Sequence, residues 1–354
     1  MPKIALIGST LKDGNSVRGV GYYTRNLYDA IQTELKTNPN YKNLEVDLVT
    51  SDYGLRITDY GLLHYPFFDP FFLTLKPPTA KPFLVTVHDL IPIEHMRHFY
   101  PGIKGYIRWL IQKHHLKLAK YLITVSHTSK YVIHKLTKYP LDKIYTTYEA
   151  SPPFFYPLKD RKYLIKIKNK YNLPNKFVLY TGSIDWSKNI PTLVKACEKL
   201  NYPLVIIGKS STQTNVPVDH WTADLRWVQS QKFPLRLGFV PDEDINAIYN
   251  LATIYCQPSH AEGFGLPPLQ ALQAGCPVVY SDNTCMNEII DNFGESFDSY
   301  NPTSLEKALK KLWTNIKLQQ HYRTVGPKRA AFFSWQKTAV QTLAVYQLAL
   351  INEP

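Results

Sequence analysis

Short apolar runs rich in β-branched residues alternate along this chain with longer segments whose apolar positions recur every three or four residues. The short runs predict buried strands and the longer segments predict amphipathic helices. Up to residue 150, strands are predicted at residues 4–7, 46–49, 83–87, 121–125 and 144–148, and helices at residues 22–35, 103–119 and 130–137. Strands that alternate with helices predict a parallel sheet covered by helices on both faces, so the expected fold class is α/β.

A proline-rich run at residues 151–157 interrupts this alternation. Its prolines remove backbone donors and restrict the residues before them, so the run predicts a linker between two domains. The alternation then restarts, with strands predicted at residues 177–180, 204–207, 235–239, 254–256 and 277–280 and helices at residues 190–200, 243–251, 268–274 and from 303 onwards. The polar residues 210–233 predict an irregular excursion. Two doubly wound domains are expected to hold ligands in a cleft, beyond the carboxyl ends of their strands.

Composition supports two folded domains and excludes several classes of protein. The chain has 354 residues, of which 44% are hydrophobic, too many for a disordered chain and enough for two ordinary cores. No run of eighteen apolar residues predicts a membrane-spanning helix, and the start MPKIALIGST reads as a strand, not as a secretory signal. The four cysteines form no C-x-x-C pair, which argues against a zinc knuckle and a disulfide framework. A cytoplasmic protein is therefore expected.

The formal net charge of +13 is concentrated locally. Between Glu94 and Lys143, ten lysines and arginines stand against two acids. Such a segment attracts nucleic acid, anionic lipid or phosphorylated substrates, but no helix-turn-helix, zinc or RNP-like pattern indicates a nucleic-acid partner, and none is expected. Residues 103–122 combine cations with aromatic rings, namely Lys104, Arg108, Lys113, Lys117 and Lys120 with Tyr106 and Trp109. This combination suits an anionic membrane surface, and equally a helix packed on its sheet with a basic outer face.

The candidate chemistry in the first domain follows two of its predicted strands. After the first strand come Gly8, a polar stretch, and then Gly19 and Gly21 at the start of a helix. This pattern suits a loop that contacts phosphate, and it equally suits a flexible turn with a cap. His88 follows the strand at residues 83–87, where its ring could bond a sugar hydroxyl, transfer a proton or bond a loop backbone.

The second domain carries the more informative pattern. Gly182 and Lys188 follow its first strand, and this lysine is a candidate for a phosphate contact or for an ordinary surface position. Further along, EGFGLPPLQA at residues 262–271 places Glu262 on a glycine-rich turn that leads into a helix. The turn amides and the helix dipole favour an anion such as a diphosphate, and a carboxylate beside that anion could bind sugar hydroxyls. The acids at residues 242–244 have the D-x-D form of a metal site, but acids at a helix start are expected for structural reasons, so no metal is predicted.

Residues 262–271, with GCPVV at residues 275–279 after them, resemble the nucleotide-sugar signature of the retaining glycosyltransferases of family four, the glycosyl transferases group one, which have the GT-B fold. The resemblance covers nearly the whole chain and is closest to members that transfer mannose or similar hexoses. Its other matching segments lie at residues 19–22, 87–90, 125–126, 182–189, 238–240 and 333–335. It implies two Rossmann-like domains that face a central cleft, at residues 1–152 with the last helix at about 336–354 and at residues 153–335.

The resemblance also implies a role for individual residues. Lys188 and the amide of Gly21 would bind the diphosphate of a GDP-sugar or UDP-sugar, with no other cofactor. Glu262 would contact the donor sugar, and His88 would meet that sugar from the first domain. The catalytic residues implied are therefore His88, Lys188 and Glu262. The remaining donor-binding residues implied are Gly19, Gly21, Gly182, Ser183, Val240, Gly263, Phe264, Gly265, Leu266 and Gln270.

Three positions depart from the family pattern. Gln270 stands where a second acid binds the ribose hydroxyls, and Ser183 and Ser187 stand where arginines are common. The predicted function is retaining transfer of a hexose of mannose or glucose type from a nucleoside diphosphate sugar to a hydroxyl of a glycan or lipid-linked acceptor, on the inner face of a membrane or in the cytoplasm. The alternative is a nucleotide-sugar-binding protein of the same fold with epimerase activity or little catalytic activity.

Overall fold

The computed structural model describes residues 1–11, 19–50, 59–75 and 82–351. The chain divides into two compact units, the first formed by Met1–Ala150 with Ser334–Pro354 and the second by Ser151–Phe333. The sequence placed these boundaries two residues later in each case. Each unit contains a parallel sheet of six strands, so the predicted α/β class is confirmed.

The first unit is built on strands that are buried along most of their length. They are β1 (Lys3–Ile7), β2 (Glu45–Val49), β3 (Leu62–Tyr65), β4 (Phe83–Thr86), β5 (Tyr121–Thr124) and β6 (Ile144–Thr146), in the order β2-β1-β3-β4-β5-β6. Its helices up to residue 150 are α1 (Gly19–Thr37), α2 (Ile91–Glu94), α3 (Gly102–Lys117) and α4 (His127–Thr137). Apolar side chains on both faces of the central strands form the core, as expected for a parallel sheet between helices.

Strand β3 was not predicted, because its four residues are interrupted by a histidine. His64 is completely buried, with Nδ1 hydrogen-bonded to the Tyr346 hydroxyl (2.7 Å) and Nε2 to the Thr86 hydroxyl (2.8 Å). Burial lowers the pKa of His64 to about 3, so the neutral ring behaves as a core residue.

The second unit contains the strands β7 (Val178–Thr181), β8 (Leu204–Ile207), β9 (Leu235–Gly238), β10 (Ile254–Gln257), β11 (Val278–Ser281) and β12 (Glu295–Phe297). Its helices are α5 (Arg161–Lys170), α6 (Ile190–Leu200), α7 (Ala223–Ser230), α8 (Asp242–Leu251), α9 (Leu266–Gln273), α10 (Met286–Ile289), α11 (Pro302–Thr314) and α12 (Ile316–Ala330). The strand order is β12-β11-β10-β7-β8-β9, which reverses between β7 and β10. The loops that follow these two strands therefore leave the sheet at its switch point, where doubly wound domains bind ligands.

Three helices of this unit, α5, α7 and the four-residue α10, and one strand, β12, were not predicted. The prediction of an irregular excursion at residues 210–233 is wrong in part, because α7 occupies its second half. Helix α5 was missed because few of its residues are buried, and its start depends on Asp160, whose carboxylate accepts a hydrogen bond from the Tyr163 amide (3.0 Å). Strand β12 has three residues, too few for a period to show.

The last helix, α13 (Trp335–Ile351), belongs to the first unit. The Thr338 hydroxyl donates to the Tyr148 carbonyl (2.6 Å), and the Tyr346 hydroxyl bonds His64 in β3. The family resemblance implied this return of the chain. Within the described ranges, no helix has both the length and the apolar character needed to cross a membrane.

Helix α3 corrects one expectation about the basic segment. Trp109 is buried in the core of the first unit, so its interpretation as an aromatic side chain at a membrane surface is wrong. Lys120 donates to the Ala349 carbonyl (2.6 Å) and therefore serves to hold α13. Tyr106, Lys104, Arg108 and Lys117 are exposed.

Candidate active site

Two loops of the second unit bring a lysine and a glutamate together. Lys188 ends the short turn after β7, and Glu262 follows β10. The Lys188 ammonium donates to Glu262 Oε2 at 2.9 Å, with 8% of the glutamate side chain exposed and 20% of the lysine side chain. Because β7 and β10 flank the switch point, this ion pair lies where a doubly wound domain binds its ligand.

The carboxylate of Glu262 is fixed on its other side by residues that the sequence analysis did not single out. Gln257 Nε2 donates to Glu262 Oε1 at 2.8 Å, and the Ser259 hydroxyl donates to the same oxygen at 2.7 Å. The Tyr255 hydroxyl in turn bonds the amide oxygen of Gln257. A glutamine that ends an apolar strand is the sequence signal that could have identified this support. The arrangement orients Glu262 before any ligand arrives.

The loop that carries Lys188 is held by its own polar residues. Asp185 Oδ1 accepts from the Ser187 amide (3.0 Å) and from the Ser187 hydroxyl (2.6 Å). Asn189 has a positive φ of 53°, and its side-chain amide donates to the carbonyls of Pro258 (3.1 Å) and Ser299 (3.2 Å). Asn189 directly precedes α6, but its side chain does not cap that helix and instead ties the Lys188 loop to the loop after β10.

On the other side of β7, glycines allow the loops that follow neighbouring strands to pack closely against one another. A Cβ atom at Gly208 would lie 2.2 Å from the Gly182 carbonyl oxygen, and Gly182 itself has a φ of 144°. The Gly208 amide donates to the Gly238 carbonyl (2.9 Å), so the exits of β7, β8 and β9 approach one another through backbone alone. Backbone without side chains allows a ligand to approach closely.

The turn at residues 263–266 leads into α9, and its backbone is constrained by Gly265 and by the prolines that follow it. Gly265 has a φ of 95°, and a Cβ atom there would lie 2.1 Å from Met286 Cε. Two of the first three positions of α9 are prolines, which carry no N–H. In the described part of the chain, no group accepts a hydrogen bond from the amides of Gly265 and Leu266, so these two amides are the donors available to an anion.

Residues 163–329 match the family model of the Glycosyl transferases group 1. The chain is 30% identical over 284 residues to the O-antigen chain mannosyltransferase B of Escherichia coli, an alignment that covers 75% of this chain and 70% of that protein. This chain belongs to the group 1 glycosyltransferases. The resemblance seen in the sequence is thereby confirmed, and the protein is a transferase of glycosyl groups.

Further comparisons of this glycosyltransferase concern one more mannosyltransferase and two solved structures, the latter bearing on the fold. It is 26% identical over 260 residues to the serotype-specific mannosyltransferase WbdA of Escherichia coli, which covers 71% of this chain and 32% of that protein. Sucrose-phosphate synthase from Thermosynechococcus elongatus superposes over the full length of both chains with a TM-score of 0.76 at 18% identity. Anabaena HepE in complex with UDP-glucose superposes with a TM-score of 0.72 at 14% identity, over 98% of this chain and 100% of that one. The expected GT-B fold is confirmed.

Other predicted donor-binding residues of the glycosyltransferase lie close to the switch point or pack beneath it. Gln270 Oε1 accepts from the Tyr249 hydroxyl (3.2 Å), which also bonds the Thr181 hydroxyl (2.6 Å) at the end of β7. The Ser183 hydroxyl donates to Asp185 Oδ2 (3.0 Å). Val240 and Phe264 are buried, and Gly263 lies directly between Glu262 and Phe264. The donor-binding roles of all these residues, with Gly182, stay predictions.

In the first unit, the glycosyltransferase holds His88 by both ring nitrogens. Nδ1 lies 3.0 Å from Glu149 Oε1, and Nε2 lies 3.2 Å from the Pro66 carbonyl oxygen. A carboxylate and a carbonyl only accept hydrogen bonds, so this geometry favours the imidazolium form, in which both ring nitrogens donate. Burial lowers the pKa of His88, but the hydrogen bond and the charge of Glu149 outweigh it, so the pKa lies above its ordinary value. Glu149 was not predicted; its signal was an acid directly after the predicted strand at residues 144–148.

This geometry predicts a pH dependence. In a protein labelled with ¹⁵N-histidine, both ring nitrogens of His88 should be protonated at pH 7, and the Glu149→Gln variant should lower the His88 pKa. Because the folded-state pKa is raised, the histidine stabilises the fold below its unfolded pKa of about 6.5, and this contribution is lost as the pH rises through the folded-state pKa. The wild type should therefore exceed His88→Gln in stability by more at pH 6 than at pH 9. A His88 pKa that is unchanged in Glu149→Gln contradicts the assignment.

Two further expectations concern other loops. The polar stretch before Gly19 lies outside the described residues, and α1 begins at Gly19 with Gly21 buried in its first turn, so the phosphate contact expected there stays a prediction. The acids at residues 242–244 form the first turn of α8. Asp244 Oδ2 accepts from Lys170 Nζ (2.5 Å) and from the Tyr171 hydroxyl (2.6 Å), which is a structural role. Across residues 1–11, 19–50, 59–75 and 82–351, no three metal-binding side chains cluster.

Proposed function

We propose that this glycosyltransferase transfers mannose from a GDP-sugar or UDP-sugar to a hydroxyl of a glycan or lipid-linked acceptor, with retention of the anomeric configuration. The observation that carries the proposal is the Lys188–Glu262 pair at the switch point of the second unit. A cation that meets the diphosphate and a carboxylate that meets the sugar are the two groups such a donor needs there. The similarity to O-antigen mannosyltransferases favours mannose and a glycan acceptor. The cytoplasmic location, at the inner face of a membrane, is part of this proposal.

Lys188 is proposed to act on the leaving group. When the bond between the sugar and the diphosphate breaks, negative charge grows on the diphosphate, and a fixed cation stabilises that charge. The ammonium of Lys188 acts as a point charge, and its bond to Glu262 fixes that charge at the switch point. The amides of Gly265 and Leu266 are the backbone donors that supplement it. Because positions 183 and 187 are serines and carry no charge, Lys188 is the main cation of the proposed diphosphate site.

Glu262 is proposed to orient the donor sugar by accepting from its hydroxyls. Gln257 and Ser259 hold one carboxylate oxygen, and Lys188 holds the other, so the carboxylate is in place before the sugar binds. In the transfer step, the bond from the anomeric carbon to the diphosphate oxygen breaks and a bond to the acceptor oxygen forms. The acceptor proton passes to the departing phosphate. The negative charge of Glu262 also stabilises the positive charge that develops on the sugar in an oxocarbenium-ion-like transition state.

Gln270 offers a gain-of-function test of the donor site. Gln270→Glu keeps the hydrogen bond from Tyr249, since a carboxylate oxygen accepts as an amide oxygen does. The added charge should strengthen bonds to the ribose hydroxyls and lower the KM for the donor about three- to tenfold, with kcat nearly unchanged. Initial-rate kinetics with varied donor measures this. An unchanged or raised KM contradicts a ribose contact at this position. Tyr249→Phe serves as the control that removes the Tyr249 hydroxyl, with its bonds to Gln270 and Thr181, and leaves position 270 unchanged.

A panel of nucleotide sugars tests the proposed function as a whole. The protein is incubated with GDP-mannose, UDP-glucose and related donors, with and without oligomannose or lipid-linked acceptors, and nucleoside diphosphate release is measured. Acceptor-dependent release with one donor supports the proposal. Formation of a free sugar epimer without an acceptor supports epimerase activity instead, and donor binding without turnover indicates a binding protein.

A further inference from the structure

Helix α3 exposes apolar side chains on the side opposite to its packed face. Its buried residues are Gly105, Trp109, Gln112 and Leu116. At about 100° per residue, five exposed side chains lie within roughly 50° of the direction opposite to the centre of that buried face. They are Ile103 (77% exposed), Ile107 (52%), Leu110 (49%), Ile111 (41%) and Leu118 (43%), the last directly after the helix. His114, which is polar, lies in the same sector of the helix.

Cations flank this apolar stripe on both sides. On the same helical projection, Lys104 and Lys117 lie about 70° from the centre of the stripe, one on each side, and Arg108 and Lys113 lie about 110° from it. The helix contains no aspartate or glutamate. An apolar stripe bordered by lysine and arginine, with no acid, is the pattern of a helix that lies in the plane of a lipid interface.

The turn at residues 71–73 extends the stripe. Phe72 and Leu73 are exposed, and the guanidinium of Arg108 lies 6.0 Å from the centre of the Phe72 ring. Gln112 fixes this turn to α3, because its side-chain amide donates to the carbonyls of Asp69 (3.2 Å) and Phe72 (2.5 Å). The two elements therefore form one surface, here called the α3 face and defined by residues 72–73 and the exposed residues of 103–118.

We propose that the α3 face docks the protein on an anionic lipid bilayer, with the isoleucines and leucines in the interface and the lysines and Arg108 on lipid phosphates. The charge argues for this occupant, since four cations border the face and α3 itself offers no acid to a basic protein partner. The same cations would attract nucleic acid, but its charged backbone would not be stabilised by contact with five exposed aliphatic side chains at the centre of the face. The inference does not depend on the proposed donor or on catalysis.

Vesicle flotation tests the proposal on the full chain. Vesicles of phosphatidylcholine with 30% phosphatidylglycerol should bind the wild type at least tenfold better than phosphatidylcholine alone at about 0.1 M salt, and added salt should weaken binding. Ile107→Ser with Leu110→Ser should lower binding at least tenfold, because binding scales with the apolar area inserted. Lys104→Gln with Lys117→Gln should lower it about fivefold per lysine on anionic vesicles and leave binding to neutral vesicles unchanged.

Helix α5 provides a matched control. It also carries exposed cations and one exposed isoleucine, Ile165, without an apolar stripe. Ile165→Ser and Lys162→Gln with Lys166→Gln should bind vesicles as the wild type does, and circular dichroism confirms that all variants fold. Equal binding by the α3 and α5 variants overturns the proposal, as does absence of binding to anionic vesicles. Concentration-dependent dimerisation that the Ile107→Ser, Leu110→Ser variant abolishes, without vesicle binding by the wild type, assigns the face to a second copy and also overturns it.

Discussion

Replacing Lys188 by alanine is expected to lower kcat/KM for the donor at least about 100-fold while the second unit stays folded. The expected size follows from the loss of a fixed charge aimed at a leaving group, where single donors commonly contribute 100- to 1,000-fold. Glu262 keeps its bonds from Gln257 and Ser259, so the free energy of unfolding should fall by only about 1–3 kcal/mol. Steady-state kinetics and urea unfolding measure the two effects.

Two variants separate catalysis from stability in this experiment. Lys188→Ala with Glu262→Gln removes both charges and should recover part of the lost stability without recovering activity, because the buried carboxylate is no longer unpaired on one side. Lys199→Ala breaks an exposed ion pair with Glu306 in the same unit (2.7 Å) and should leave kcat/KM within twofold. Near-normal turnover by Lys188→Ala, or recovery of activity in the double variant, would contradict the proposed role of the lysine.

Replacing Glu262 by glutamine is expected to lower kcat about 100-fold, far more than Gln270→Ala does. If the amide oxygen takes the place of Oε1 and accepts from Gln257 and Ser259, the amide NH₂ faces the Lys188 ammonium, donor against donor. The variant therefore loses both the charge beside the sugar and the orientation of Lys188. Gln270→Ala removes one hydrogen bond from Tyr249 and should cost less than tenfold.

Single-turnover kinetics with saturating donor compares the two variants on the transfer step. Equal rates for Glu262→Gln and Gln270→Ala mean that the roles are assigned wrongly. Glu262→Asp is the further control, because it keeps the charge but withdraws the carboxylate by one methylene. The transfer rate of Glu262→Asp should lie between the rates of the wild type and of Glu262→Gln.

The alternation of apolar runs and helical segments predicted most of both sheets, because buried parallel strands read directly as apolar runs. Strand β3 was not predicted because the polar His64 interrupts its apolar run. The neutral ring of His64 bonds Tyr346, which lies 282 residues further along the chain in α13. Helix α7 was not predicted because the polar segment around it shows only weak helical periodicity of its apolar residues. Such elements are fixed by tertiary contacts that no local pattern contains.

The sequence identified Lys188 and Glu262 one at a time, and the strand order explains why they meet: β7 and β10 are neighbours although more than 70 residues separate them. The supporting residues were harder to predict. Gln257 and Ser259 read as the end of a strand, and Glu149 reads as an ordinary acid until the fold brings it to His88. Hydrogen bonds between loops depend on backbone geometry, as the left-handed Asn189 shows, and the one-dimensional pattern does not contain that geometry.

The central claim is transfer of a hexose from a nucleotide donor with retention, and the most direct measurement is ¹H NMR of the product. The protein is incubated with GDP-α-mannose and a mannoside acceptor, and the one-bond C1–H1 coupling constant of the purified product, which distinguishes α- from β-mannosides, is recorded with Lys188→Ala as the inactive reference. We predict an α-linked product from the wild type and almost none from the variant. A β-linked product, or free mannose alone at the same rate with and without acceptor, would contradict the account.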